Sequence, residues 1–192
     1  SMRSIRSIKN KGTGAGGKNT NVFGLKFEEK TDNETRLLDM GFEFNQIEHS
    51  KCNYLKKTFP KYDIIFVKQY SFIAYLKHFY NIEAFRKPDE AYIYEVNDEI
   101  INIKIIEKKS QYRDGSVETK LWASPSLKRE YELIINTNIE YCLCLNKFIS
   151  NRVLSDELKY KTLDTILDEN NIKVLFGDEQ DYFKTLDDFI FD

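Results

Sequence analysis

Hydrophobic positions along this chain alternate between two periods, and the changes of period mark its elements. In TNVFGLKFEEKTDNETRLLDMGF, Val22, Leu25, Phe27, Leu37 and Leu38 stand among charged residues at helical spacing. This predicts a helix from about residue 21 to 40, capped by Thr20 and ended by Gly41. YDIIFVKQ is a β-rich run, and YSFIAYLKHFY returns to helical spacing through Phe72, Tyr75, Leu76 and Phe79. PDEAYIYEV and EIINIKIIEKK read as two strands separated by Asn97 and Asp98, residues that suit the tight turn of a hairpin.

Past a Gly-containing loop, a helix is expected from about Ser126 to Ile135, then a strand in IEYCLCLNKF. SDELKYKTLDTILDEN follows as a helix opening on Ser155, IKVLF as a short strand and DYFKTLDDFI as a last helix. Strands and helices interleave, so the expected class is α/β, a mixed central β-sheet flanked by helices.

Composition limits the size of the unit. With 192 residues, 41% of them hydrophobic, the chain can build one compact core but not two large ones. One domain is expected over residues 20–192, after a flexible basic arm over residues 1–19 that carries Arg3, Arg6, Lys9, Lys11 and Lys18. Ser1 ahead of Met2 reads as an expression remnant. No apolar run of about 18 residues and no secretory leader is visible, so a soluble, cytoplasmic (intracellular) protein is expected.

The formal charge of −2 excludes a chain-wide basic character, although the basic start contrasts with the acidic end, GDEQDYFKTLDDFIFD. Cys142 and Cys144 are two apart in a strand and read as a buried, reduced pair. With His49 and His78 isolated, the ligands for a zinc site are missing. Gly12, Gly17 and Lys18 imitate a P-loop, but no strand precedes them and Asn19 stands where Ser or Thr would bind the metal. The glycines are better read as an entry to the first helix.

The chemistry concentrates in the hairpin. Odd positions of its second strand run Ile101, Ile103, Ile105, Glu107, Lys109 and Gln111, so an acid, a lysine and an amide continue an apolar stripe. Charged groups in line with a buried face need partners, and a divalent cation between Asp89 and Glu107 would be one. Two carboxylates holding Mg²⁺ beside a lysine is chemistry that serves phosphodiester hydrolysis. The same residues could also form an exposed ion pair on an edge strand.

The segments FRKPDEAYIYEV, IIEKKSQ and GSVETKL, in that order, together with GLKFEE on the first helix, resemble the PD-(D/E)XK nuclease superfamily, and within it the type II restriction endonucleases. The resemblance covers most of the chain from about Gly14 to the end and implies a restriction-endonuclease-like sheet. It implies Asp89 and Glu107 as metal ligands, the carbonyl of Lys108 as a third, and Lys109 as the catalytic lysine. Glu28 matches an acid that reaches the metal through water, with Glu29 competing, and Gln111 matches a glutamine that steadies the scissile phosphate. Lys108, on the opposite strand face, is expected to contribute only its carbonyl, so that its truncation is mild.

Lys18, Asn19 and Asn21 at a helix start, with Ser116 and Lys120 after the strand, are candidate DNA contacts by position. The implied activity is Mg²⁺-dependent, sequence-specific cleavage of double-stranded DNA by a homodimer, with Mn²⁺ able to substitute and a cognate DNA methyltransferase protecting host sites. A structure-directed nuclease of DNA repair or recombination, and a DNA-binding module without catalysis, are the alternatives.

Overall fold

A computed structural model describes residues 18–115 and 117–192, apart from the side chains of residues 18–23 and of Val117. The helix expected over residues 21–40 is two helices, α1 (Lys18–Thr31) and α2 (Glu34–Asp39). The break has a local cause. The Thr31 hydroxyl bonds back to the Phe27 carbonyl at 2.8 Å, the Asp32 carboxylate takes the Glu34 N–H, and Asn33 is fully buried. Short polar side chains that bond nearby backbone compete with a continuing helix. α1 also begins two residues before Thr20, which is therefore not its cap.

Gly41, with φ +96°, turns the chain into β1 (Glu43–Gln46) and β2 (Asn53–Thr58). These two strands were not expected, because only Leu55 among their ten residues is buried and no alternation is visible. β3 (Asp63–Val67), α3 (Tyr70–Tyr80), β4 (Glu90–Val96) and β5 (Glu99–Lys109) follow the sequence pattern closely. Asn97 and Asp98 both have positive φ, 51° and 62°, as a two-residue hairpin turn of the primed type requires.

Two short helices, α4 (Val117–Trp122) and α6 (Lys147–Val153), occupy stretches expected to be loop or strand end. Between them lie α5 (Ser124–Ile135) and β6 (Ile139–Leu145), and after them α7 (Leu158–Glu169), β7 (Ile172–Phe176) and α8 (Tyr182–Phe191). Ser155 does not cap α7. Glu157 stands at that position, and the Ser155 hydroxyl is buried without a partner among the described residues.

The seven strands form one mixed sheet in sequence order, an antiparallel meander through β5 continued by parallel β6 and β7. Both faces are covered. Ile65, Ile93, Ile103, Ile105, Tyr141 and Leu143 pack beneath α3, α4, α5, α6 and α7. Phe66, Tyr92, Ile106, Cys142 and Cys144 pack on α1, α2 and α8. Burial on both sides explains why the central strands are nearly continuous apolar runs. Among the described residues, no helix is long and apolar enough to cross a membrane.

Candidate active site

The register of the sheet brings the start of β4 beside the end of β5, with Glu90 opposite Ile106. β3, β6 and β7 finish at the same end. Asp89, one residue before β4, therefore meets the residues that leave β5. Its Oδ2 accepts the backbone N–H of Lys108 at 2.7 Å, and its Oδ1 accepts the side-chain amide of Gln69 at 2.8 Å.

Glu107 continues the face of Ile103 and Ile105, as the period-2 reading requires, and its carboxyl is hydrogen-bonded to that of Asp89. Such a bond needs a proton between the two groups. Burial first, and then the charge of Asp89, raise the Glu107 pKa to about 8. Lys109 lies on the same strand face, its Nζ 3.8 Å from Glu107 Oε2, and both side chains are largely buried.

Glu28 reaches this group from α1. It is half-buried, and its pKa is raised by burial and by Asp89 against the opposing pull of Lys108 and Lys109. Glu29 is exposed, although both acids line a cleft of about 210 Å³ that also includes Asp32, Gln69 and Asp89. Of the two candidates, Glu28 is the less exposed, and it lies in the field of Asp89.

The Lys108 carbonyl also faces the right way. In a strand, the N–H and C=O of one residue point to the same side, and the Lys108 N–H points to Asp89. The next carbonyl, of Lys109, points away and accepts from the Asn146 N–H across β6. The Lys108 side chain leaves by the opposite face and ends 2.8 Å from Glu90, so it does more than the sequence reading allowed.

Three carboxyl groups and a carbonyl make a hard-oxygen donor set, of the kind Mg²⁺ and Mn²⁺ accept. The crowding of Glu107 and Asp89 favours protonation of Glu107, and a cation bound between the two acids would relieve the same repulsion. In the conformation described, Asp89 is engaged by Gln69, by the Lys108 N–H and by Glu107. Among the described residues, no three His, Cys, Asp or Glu side chains are already arranged around a metal position. Cys142 and Cys144 are buried free thiols on the other face, the latter pushed up to about 12 by burial, which suits packing and not metal binding.

The remaining sequence candidates are scattered. β5 ends at Lys109, so the strand alternation does not extend to Gln111. Gln111 is buried, its amide donates to the Arg113 carbonyl at 2.7 Å, and its own side-chain oxygen has no partner among the described residues. Lys120 is exposed on α4. Ser116 lies outside the described residues, and so do the side chains of Lys18, Asn19 and Asn21 in the first turn of α1.

Gln69 was missed by the sequence reading. It starts α3 with φ 53° and ψ −128°, a conformation that a non-glycine residue rarely takes, and its N–H is tied to the Pro88 carbonyl at 2.8 Å. That strained turn delivers its amide to Asp89. No periodicity or motif marks it. Comparison with protein-family models, with curated proteins and with solved structures finds no match to this chain.

Proposed function

We propose that this chain is a Mg²⁺-dependent endonuclease that hydrolyses phosphodiester bonds in double-stranded DNA at a specific sequence, a type II restriction enzyme of the PD-(D/E)XK superfamily. One observation carries the reading: Glu28, Asp89, Glu107 and Lys109 converge from three elements on one end of the sheet, where the acids crowd closely enough to raise the pKa of Glu28 and Glu107. A purely structural ion pair would need one acid for one lysine, and here acids are in excess. The meander joined to parallel strands, with the acids where β4 starts and β5 ends, supports a restriction-endonuclease-like arrangement.

Asp89, Glu107 and the Lys108 carbonyl would hold the ion, with Glu28 acting through water. A bound Mg²⁺ supplies a water of lowered pKa and neutralises charge on the scissile phosphate. Gln69 and the Lys108 N–H fix the orientation of the Asp89 carboxylate. Lys109 orients the attacking water and offsets the charge that develops on the phosphate oxygens. Gln111, with its amide engaged by Arg113, is given no part in the step.

The reading brings a homodimer, since one such site cuts one strand and a two-fold protein matches a palindromic duplex. It also brings a DNA methyltransferase that protects the host's own sites. The test is incubation with plasmid and long linear duplex in Mg²⁺, followed by sequencing of the ends. Discrete fragments with a common end sequence are expected. Ends without a common sequence would refute specificity, and intact DNA across metals and sequences would refute the nuclease.

A further inference from the structure

The alternate face of the same strand ends holds a second set of charges, which the catalytic reading does not use. Glu90 is wholly buried, and its Oε2 lies 2.8 Å from Lys108 Nζ, itself almost fully enclosed. The pair does not stand alone. Glu90 Oε2 also accepts the backbone N–H of Asn33 at 3.3 Å, and Oε1 accepts the Tyr92 hydroxyl at 2.9 Å. The Lys108 ammonium donates a further bond, at 3.3 Å, to the carbonyl of Glu28.

These contacts have a common consequence. Glu90 follows Asp89 in the chain, and Lys108 stands between Glu107 and Lys109. Through Asn33 and the Glu28 carbonyl, the pair fastens the end of α1 to the two strands that carry the other site residues. We propose that Glu90 and Lys108 are positioning residues for Glu28, a buried ion pair that ties the last turns of α1 to β4 and β5 and thereby sets where the helix acid stands. This rests on the nuclease reading above for what Glu28 does, though not for how α1 is held.

The packing around the tie agrees with it. Phe27, next to Glu28, lies against Gly177, where an added Cβ would come within 2.5 Å of the ring. Apolar contact thus seats α1 over β7, but a ring in a notch leaves rotation about the helix axis less restrained than two charged hydrogen bonds do. Asn33 is held in turn, its amide to the Tyr92 hydroxyl at 3.0 Å and its oxygen to Arg36 at 2.8 Å. The tether therefore ends on a fixed point.

The experiment is a double-mutant cycle. Glu90→Gln with Lys108→Met removes both charges together and preserves volume, so that no lone buried charge is created. It is compared with Glu28→Gln and with the triple combination. Three quantities are read: amide hydrogen exchange along α1 in metal-free protein, Mn²⁺ binding by calorimetry, and the Mg²⁺ concentration giving half-maximal cleavage. Exchange is expected to accelerate over residues 27–31 and not in β4 or β5. Metal binding should weaken about 10–100-fold, as loss of groups behind a metal ligand typically causes. Adding Glu28→Gln should then weaken it no further.

Unchanged protection of α1 would overturn the proposal, as would fully additive effects with Glu28→Gln, which would make the pair a support for the fold alone. A parent that binds Mn²⁺ non-additively but cuts no DNA would sink the nuclease reading and leave the tether standing. A parent that cuts DNA with an additive cycle would do the reverse. A parent that neither binds Mn²⁺ nor cuts DNA would overturn both.

Discussion

Glu107 should make the metal-free protein lose stability as pH rises. Its carboxyl has an ordinary pKa of 4.5 when unfolded and about 8 when folded, because burial and the Asp89 charge oppose its ionisation. Between those values the folded chain holds a proton that the unfolded chain has released, so the stability difference falls with pH. The contribution is fully present below about pH 4.5 and is lost as pH rises through about 8. At about 1.4 kcal/mol for each pH unit, the loss is about 3 kcal/mol by pH 7 and about 5 kcal/mol above pH 8.

The assay is urea unfolding in EDTA from pH 5 to 8.5, on the parent and on Glu107→Gln. The glutamine keeps the shape and a hydrogen-bond donor but cannot ionise. Subtracting the two curves removes the titrations of groups remote from Glu107 and leaves those of Glu107 and the acids coupled to it. The variant should gain on the parent steadily with pH and be the more stable protein at pH 8. On the proposed reading Mg²⁺ would bind the ionised cluster and release the proton, and it should then stabilise the parent more at pH 8 than at pH 6. Parallel curves for the two proteins would refute the claim that a proton is held between Glu107 and Asp89.

Lys109→Ala should reduce single-turnover cleavage by about 10²–10⁴-fold while DNA binding at one salt concentration is retained, since the role proposed for it is confined to proton and charge management at the phosphate. Lys108→Ala, which the sequence suggested would be mild, should cost about 3–5 kcal/mol in urea unfolding by leaving the wholly buried Glu90 carboxyl, which burial already drives toward its neutral form, without its partner. Cleavage should be supported by Mg²⁺ or Mn²⁺, with Ca²⁺ supporting binding and little turnover; equal rates in Ca²⁺ and Mg²⁺ would contradict the site. The mass of the complex with uncut duplex in Ca²⁺ should correspond to two protein chains, and one chain on each duplex would remove the homodimer.

The parts of the fold legible in the sequence are those where one strong pattern decides. YSFIAYLKHFY is a helix and the Asn97 and Asp98 hairpin is in place because periodicity and turn chemistry agree there. β1 and β2 were illegible because an edge region buries so little that its residues show no alternation. The α1–α2 break was illegible for another reason. The helical period survives across Asp32 and Asn33, where local bonds of Thr31 and Asp32 interrupt the helix and tertiary bonds of Asn33 to Glu90 and Tyr92 hold the bend. In the site, Glu107 and Lys109 share a face by strand parity, and Asp89 is placed by the start of the hairpin's first strand. Gln69 and Glu90 do not, since one depends on a strained turn and the other on a partner 18 residues away.

The register of β5 shows why both faces matter to one site. Near its end the strand reads Ile105, Ile106, then three charged residues, so the apolar pattern is almost indifferent to a one-residue slip at this point. Charge removes that freedom. Lys104 and Lys108 share one face, where the carbonyl of Phe189 and the carboxylate of Glu90 accept their ammonium groups. A slip would set Ile103 or Ile105 against the Phe189 carbonyl, and in the direction that brings Glu107 to the Lys108 position it would oppose two buried carboxylates. A buried ion pair adds little to net stability when compared with well-packed apolar residues. Its value here lies in excluding the register in which Glu107, and not Lys108, would face Glu90 and so leave the face that Asp89 shares.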